Sequence, residues 1–232
     1  MIVKIYTKKG DFGTTGLFKG GRVSKGDLSI IAAGSVDETN CHIGMIRSKL
    51  TTTPAVDRTT SLPCHMRIEQ ELVTVQSALF DIGAIISTNI DWLVEDDDNI
   101  NRVVPVNNLR DKDINALEVL IDQMDEQLPP LTNFVLPSGN ELHCVTQIAR
   151  AVCRRAERDV VAWSCQYMTE GSLWVDGWEH CLKSSNMFAY LNRLSDFLFV
   201  LCRYFDSEET KWMGRSKSTT GSVQLELFND QK

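Results

Sequence analysis

The sequence predicts an all-α fold, a five-helix bundle preceded by a glycine-rich N-terminal arm. Five stretches carry apolar residues every three or four positions, which is the spacing of one face of an amphipathic helix. No stretch shows a convincing alternation of apolar and polar residues, as a half-buried strand would. Because amphipathic helices bury their apolar faces against one another, the five stretches favour a bundle.

The N-terminal arm, residues 1–26, differs from everything that follows it. It contains the run YTKKGDFGTTGLFKGGRVSK, with five glycines, four lysines and three threonines. Glycines allow a backbone to approach a ligand closely, and threonine and lysine donate hydrogen bonds to phosphate oxygens. The run is not a Walker A loop, because no GxxxxGK[ST] opens a helix here. A flexible basic arm and a phosphate-binding segment both remain open from these residues alone.

Three helices are predicted before the double proline, over 27–50, 66–88 and 111–128. A loop with two prolines over 51–65 separates the first two, and an acidic, exposed loop over 89–110 precedes the third. Their apolar positions are Ile30, Ile31, Val36, Ile43 and Ile46, then Ile68, Leu72, Val75, Leu79, Ile82 and Ile86, then Ile114, Leu117, Ile121, Met124 and Leu128. Asp37 lies among small and apolar residues, so its carboxylate needs a partner, which an arginine-rich fourth helix offers.

The fourth helix is predicted to begin at a capping box, with Ser138 as N-cap and Glu141 three residues later. Its apolar residues are Leu142, Val145, Ala149, Val152, Ala156, Val160 and Trp163. An ordered loop over 164–183 and a fifth helix over 184–205 follow. The inward residues of the fifth helix are Tyr190, Leu191, Leu194, Phe197, Leu198 and Leu201.

Arginines cluster on the fourth helix. At about 100° per residue, Arg150, Arg154 and Glu157 share one stripe beside the apolar face. Arg155 and Arg158 flank that stripe. Guanidinium groups suit phosphate oxygens better than ammonium groups do. A solvated charged face with ion pairs three and four residues apart explains the same pattern.

The five helices predict a single domain over 1–232 with ferritin-like up-down packing and a polar tail over 207–232. A net charge of −7 argues against nucleic acid as a partner, and no apolar run is long enough to span a membrane. Seven cysteines without a CxxC pair indicate reduced thiols, and no cysteine–histidine spacing suits zinc. No signal peptide is visible, which predicts a cytoplasmic protein, or one of the mitochondrial matrix if a presequence has been removed.

Three stretches together resemble the ATP:cob(I)alamin adenosyltransferases of the propanediol-utilisation type. These are the arm, then AGSVDETN, then LPSGNELHCVTQIARAVCRRAERDVV with YLNRLSDFLFVLCR, and they span most of the chain in the same order. The resemblance implies a homotrimer of five-helix bundles with active sites between neighbouring subunits. It implies transfer of the 5′-deoxyadenosyl group of ATP to the cobalt of cob(I)alamin, with release of triphosphate.

The resemblance also implies roles for single residues. Contacts to the triphosphate or its Mg²⁺ would come from Thr7, Lys8, Lys9, Gly10, Thr15, Gly16 and Lys25. Nucleotide contacts would come from Arg154, Arg155, Glu157, Arg158 and Asn192. Asp37 and Arg150 match an inter-subunit salt bridge. No separate metal site is implied, since Mg²⁺ would be bound through the ATP phosphates.

Phe134 occupies the place of the aromatic residue that lies under the corrin in this family and displaces the lower ligand of cobalt. Loss of that ligand gives four-coordinate cob(II)alamin and raises its reduction potential, so that a biological reductant reaches cobalt(I). Without the resemblance, Phe134 would be interpreted as an ordinary core aromatic. A reductase and an adenosylcobalamin-dependent mutase are the implied protein partners.

The sequence departs from the family pattern in two places. Residues 136–139 read LPSG where the family usually has LPGG, and the loop over 164–183 is longer than in bacterial members. A non-catalytic module that binds or delivers cobalamin is the competing interpretation, but retention of Lys25, Arg154, Glu157 and Asn192 favours catalysis. A purely structural bundle would leave the arm and Phe134 unexplained.

Overall fold

The computed structural model describes residues 5–18, 21–52, 62–88, 109–165, 186–206 and 210–212, with no side chains described for 52 and 62–66. Its elements are β1 (Thr14–Gly16), β2 (Arg22–Ser24), α1 (Leu28–Thr52), α2 (Leu62–Ile86), α3 (Asp111–Asp125), α4 (Glu141–Cys165) and α5 (Met187–Phe205). The predicted all-α bundle of five helices is confirmed. Most of the acidic loop over 89–110, the loop over 164–183 and the tail over 207–232 lies outside the described residues.

The helices form a chain of packed neighbours. Helix α1 packs against α2 and α4, α4 packs against α5, and α5 packs against α3. One apolar core runs between them, built from side chains such as Ile43, Leu79, Leu117, Ala156 and Leu198. Every apolar position predicted for the second and fifth helices is buried.

The starts of α2 and α5, like that of α4 described below, differ from the predictions. Helix α2 begins at Leu62 rather than at residue 66, because Pro63 falls in the first turn, where a missing N–H breaks no helical hydrogen bond. Helix α5 begins at Met187 rather than at residue 184. Asn186, immediately before it, has a φ of 53°, which lies outside the helical range. Ile31, predicted to face the core, is 45% exposed.

None of the described helices combines the length and the apolar character that a membrane span requires.

The predicted N-cap of α4 is wrong by two residues. Asn140 caps the helix, because its Oδ1 accepts a hydrogen bond of 2.8 Å from the backbone N–H of His143. The hydroxyl of Ser138 is buried and has no hydrogen-bond partner among the described residues. Gly139 has a φ of 146°, and a Cβ there would lie 2.6 Å from a carboxylate oxygen of Asp206. The chain therefore turns at Gly139, which moves the helix start past Ser138.

We expect Asn140→Ala to destabilise the protein and Ser138→Ala not to. Loss of an N-cap costs about 0.5–2 kcal/mol, and the Nδ2 of Asn140 also donates a 2.8 Å hydrogen bond to the carbonyl of Phe205. Removing the buried, unpaired hydroxyl of Ser138 relieves a desolvation penalty. Urea unfolding of both variants measures the difference. Equal losses of stability would mean that the cap has been misassigned.

Helix α2 carries a carboxylate, Glu71, whose Oε1 is shielded from solvent and has no hydrogen-bond partner among the described residues. Burial, and then repulsion from Asp113, raises the pKa of Glu71 above its ordinary 4.5, and the charge of Arg67 offsets this in part. A raised pKa in the folded state means that the stabilising contribution is complete below pH 4.5. It is lost as the pH rises through the raised value.

We therefore expect Glu71→Gln to raise the melting temperature at pH 7, with the gain disappearing towards pH 4. The matched control is Glu69→Gln on the same helix, which removes a 2.8 Å ion pair with Arg47 and should bring no gain. Thermal unfolding across this pH range gives the answer. A gain for Glu71→Gln that is equally large at pH 4 and pH 7 would contradict the argument.

Candidate functional site

The N-terminal arm folds into a short antiparallel hairpin, in which Thr15 pairs with Val23. No strand was predicted here, because three residues are too few to show an alternating pattern. The guanidinium of Arg22 closes the hairpin: its Nη2 donates to the carbonyl of Lys9 at 2.6 Å and to the carbonyl of Thr14 at 3.0 Å. The sequence analysis did not single out Arg22. The feature that could have drawn attention to it is that it is the single arginine in a run with four lysines.

The hairpin brings several of the predicted phosphate-binding residues together. Lys8, with a φ of 58°, makes the turn, and Thr7 Oγ1 accepts from the backbone N–H of Lys9 at 3.5 Å. A Cβ on Gly10 would lie 3.3 Å from Nζ of Lys25, so a glycine lets that ammonium group approach the turn. Thr15 and Gly16 lie on β1, further along the same hairpin. Lys8, Lys9 and Lys25 are exposed.

The arginine stripe of α4 is divided among different contacts. Arg155 forms an ion pair with Glu38 of α1, and Nη1 of Arg158 donates to the carbonyl of Arg154 at 3.1 Å. The side chain of Arg154 is exposed and makes no hydrogen bond or ion pair with any described residue. Arg154 is thus the member of the stripe whose guanidinium has no partner among the described residues, while the interpretation as a solvated charged face remains open.

Glu157 and Asn192 meet across the α4–α5 contact. Nδ2 of Asn192 donates to Oε1 of Glu157 at 3.2 Å. This orients the amide of Asn192 and leaves its Oδ1 as an acceptor. Two residues that were predicted to contact nucleotide are thus neighbours, one turn of α4 from Arg154.

Asp37 is exposed on α1, which contradicts the expectation of a buried carboxylate. It borders a cavity of about 300 Å³ between α1 and α2, which Phe18 of the arm and Phe80 of α2 also line. Nε of Arg150 donates instead to Oε1 of Gln147 at 2.8 Å, and the guanidinium lies 6.0 Å from the ring centre of Phe199. Asp37 and Arg150 therefore do not pair within the chain. The sequence argument assumed that the partner of Asp37 lies in the same chain, and this assumption was wrong.

Phe134 is 79% exposed, so its interpretation as a core aromatic is wrong. Its ring meets the ring of Trp212 edge to face, with the centroids 6.3 Å apart and the planes at 71°. Trp212 was not singled out, because it follows a helix in a segment that was expected to be polar. A lone tryptophan in that segment was the only signal.

Buried thiols contribute little to this site. Burial raises the pKa of Cys153 to about 12, with Glu157 adding to the shift and Arg154 opposing it. A thiol of that kind stays protonated and unreactive near neutral pH. No group of three metal-ligating side chains occurs in the part of the chain that the structure describes.

Comparisons with known proteins agree on one family. The sequence model of the cobalamin adenosyltransferase family matches residues 5–205. The chain is 36% identical over 202 residues to the corrinoid adenosyltransferase of Mycobacterium leprae, covering 87% of this chain and 91% of that protein. It is 34% identical over 208 residues to human corrinoid adenosyltransferase MMAB, covering 90% of this chain and 71% of that protein.

Solved structures agree with the sequence relatives. A phenylalanine-to-alanine variant of the PduO-type ATP:corrinoid adenosyltransferase from Lactobacillus reuteri, complexed with cobalamin and ATP, superposes with a TM-score of 0.66 at 26% identity. The match covers 91% of this chain and 100% of that one.

Proposed function

The chain belongs to the cobalamin adenosyltransferase family, and from this premise we propose how its residues bind ATP and cobalamin and bring them together. It is an ATP:corrinoid adenosyltransferase, which transfers the 5′-deoxyadenosyl group of ATP to the cobalt of cob(I)alamin. The electron pair of cobalt(I) forms the bond to C5′, the bond between C5′ and oxygen breaks, and triphosphate leaves with that bonding pair. Because no proton moves, the residues act by positioning and by stabilising charge.

The unpaired guanidinium of Arg154 is the observation that carries the assignment of the nucleotide site. An exposed arginine with no acidic partner among the described residues, close to the oriented amide of Asn192, is suited to bind a triphosphate. We assign the polyphosphate to Arg154, Arg158 and the hairpin ammonium groups, and the nucleoside to Glu157 and Asn192. Lys25 and the turn at Gly10 would close over the phosphates from the arm.

Mg²⁺ would arrive with ATP rather than occupy a site of its own. The hairpin offers hydroxyl groups and ammonium groups, and among the described residues no carboxylate cluster is available as a cage. Such a donor set fits a cation that phosphate oxygens hold, with Thr7 or Thr15 as an additional oxygen ligand. When bound, Mg²⁺ would supply positive charge beside the triphosphate, and these residues would hold it there.

We propose a homotrimer in which Asp37 of one subunit meets Arg150 of the next. Both residues lack a partner of opposite charge within the described chain, and Gln147 and Phe199 hold Arg150 in place. Large apolar side chains exposed on α1 and α4 add support for a contact between chains, because exposed apolar surface is common at protein–protein contacts. These side chains are Ile31, Met45, Ile148 and Val161, each 43–49% exposed.

The corrin would lie against Phe134. Its ring is exposed and is not part of the hydrophobic core, and it lies at the start of the segment that leads into α4. We propose that it occupies the lower axial face of cob(II)alamin, so that an external reductase supplies the last electron. The proposed acceptor of the product is an adenosylcobalamin-dependent mutase. The proposed compartment is the cytoplasm, or the mitochondrial matrix for a chain whose presequence has been removed.

An anaerobic assay tests this function. Purified protein with Mg-ATP and chemically reduced cob(I)alamin should convert the spectrum of cob(I)alamin to that of adenosylcobalamin, and omission of ATP should abolish the conversion. Light scattering of the same sample should give three times the mass of one chain. Binding of cobalamin without conversion would favour the non-catalytic delivery module instead.

A further inference from the structure

We propose that the last residue of α5 and the described residues after it act as a clasp that positions Phe134, and that Trp212 sets the orientation of its ring. The clasp consists of Phe205, Asp206, Thr210 and Trp212. The family's sequence model ends at residue 205, so most of the clasp lies beyond the matched region. The inference rests on the proposed role of Phe134 in binding the corrin and adds a positioning residue to it.

The first contact of the clasp is a short antiparallel pairing of backbones. The backbone N–H of Leu136 donates to the carbonyl of Thr210 at 2.8 Å, and that of Trp212 donates to the carbonyl of Phe134 at 2.7 Å. Val135 pairs with Lys211 between these two bonds. The backbone of Phe134 is therefore fixed by a segment that is remote in sequence, and not by its own neighbours alone.

The second contact lies at the start of α4. A carboxylate oxygen of Asp206 accepts a 2.7 Å hydrogen bond from the backbone N–H of Asn140, whose side chain donates to the carbonyl of Phe205. Gly139 lets that carboxylate approach, since a Cβ would lie 2.6 Å from it. The segment 134–140 is thus held at both ends, which removes freedom from the backbone that carries Phe134.

The ring itself is held by Trp212. An aromatic side chain that is 79% exposed has little packing to select one rotamer, and the edge contact with Trp212 supplies it. Trp212 is half exposed, so its ring is not part of the hydrophobic core. The pair is an exposed aromatic surface whose angle is fixed. A side chain that must displace an axial ligand needs such a fixed angle.

This positioning matters at one step only. The ring must be in place while cobalt is still in the Co(II) state, before one electron from the reductant gives cob(I)alamin. The later transfer from ATP to preformed cob(I)alamin does not need the axial ligand to be displaced. Loss of Trp212 should therefore slow turnover that depends on a weak reductant, and should spare turnover of preformed cob(I)alamin.

The test compares Trp212→Ala, Trp212→Leu and Trp212→Phe in the full-length protein. With ATP and cob(II)alamin bound, electron paramagnetic resonance measures the fraction of four-coordinate cobalt. We expect alanine and leucine to lower this fraction and to reduce weak-reductant activity by about tenfold or more, while activity with preformed cob(I)alamin changes less than about threefold. Trp212→Phe should keep most of the four-coordinate fraction and most of the weak-reductant activity. Val119→Ala, which truncates a similarly exposed apolar residue on α3, should change neither.

Three results would overturn the clasp. They are an unchanged four-coordinate fraction in Trp212→Ala, equal losses in the two assays, and no restoration by Trp212→Phe. If the wild type itself fails to convert preformed cob(I)alamin, the proposed function falls and the clasp falls with it. If the wild type converts it and Trp212→Ala matches the wild type throughout, only the clasp is wrong.

Discussion

Arg154→Ala is expected to raise the KM for ATP roughly ten- to hundred-fold while the protein stays folded. A charge-assisted hydrogen bond to a phosphate is worth about 1.5–3 kcal/mol, and every 1.4 kcal/mol is about a tenfold change in binding. The fold should survive, because the guanidinium is exposed and makes no hydrogen bond or ion pair with the described residues that its removal would break. Steady-state kinetics with preformed cob(I)alamin and varied ATP measure the change.

Two variants sharpen this measurement. Arg154→Lys keeps the charge but loses the planar fork, so its KM should lie between those of wild type and Arg154→Ala. Arg67→Ala removes a surface arginine of α2 that bonds Oε1 of Gln123 at 2.9 Å, and it should leave the KM unchanged. Unchanged ATP kinetics in a folded Arg154→Ala protein, or an equal effect in Arg67→Ala, would remove Arg154 from the nucleotide site.

The helix faces were predictable because burial leaves a periodic trace in the sequence. In α2, the six apolar residues predicted between Ile68 and Ile86 recur every three or four positions, and all six are buried. Ile31 broke the rule, because nothing in one chain distinguishes an apolar residue of the core from an apolar residue on an outer face. The proposed subunit contact would cover such a face, but the spacing of apolar residues along a helix does not reveal a contact between subunits.

Features that depend on a single backbone angle were not predictable. Ser138 and Glu141 match a capping box as well as Asn140 matches an N-cap, and the turn at Gly139 decides between them. The same limit hid the hairpin of the arm, which depends on Arg22 reaching two carbonyl oxygens. Contacts between residues far apart in sequence, such as that between Phe134 and Trp212, leave no local pattern.

Residue types at the candidate site were easier to predict than their contacts. The structure brings Glu157 close to Asn192 and Gly10 close to Lys25, and these are residues for which the resemblance implies nucleotide or phosphate contacts. It does not bring Asp37 to Arg150 within one chain. A resemblance carries information about assembled subunits, whereas burial arguments from one sequence assume that every partner lies in the same chain.

Phe134→Ala should separate reduction of the corrinoid from adenosyl transfer. A core phenylalanine truncated to alanine costs about 3–5 kcal/mol, but at 79% exposure no cavity of that kind forms. Among the described residues, the ring contact that is lost is the edge contact with Trp212, worth about 0.5–1.5 kcal/mol, so the melting temperature should fall by a few degrees. Activity with a weak reductant should fall about a hundredfold. For a one-electron couple this corresponds to about 120 mV in reduction potential, at 59 mV per tenfold.

The measurement is paired with preformed cob(I)alamin, which should restore much of the rate because the ring is needed only before the nucleophile exists. Phe134→Leu serves as the matched variant: it keeps apolar bulk against the corrin and should retain part of the weak-reductant activity that alanine loses. A variant that melts many degrees lower and loses activity equally in both assays would show that Phe134 stabilises the fold. A folded Phe134→Ala protein with full weak-reductant activity would show that cobalt loses its lower ligand by another route, and the exposed ring would then have no part in the chemistry.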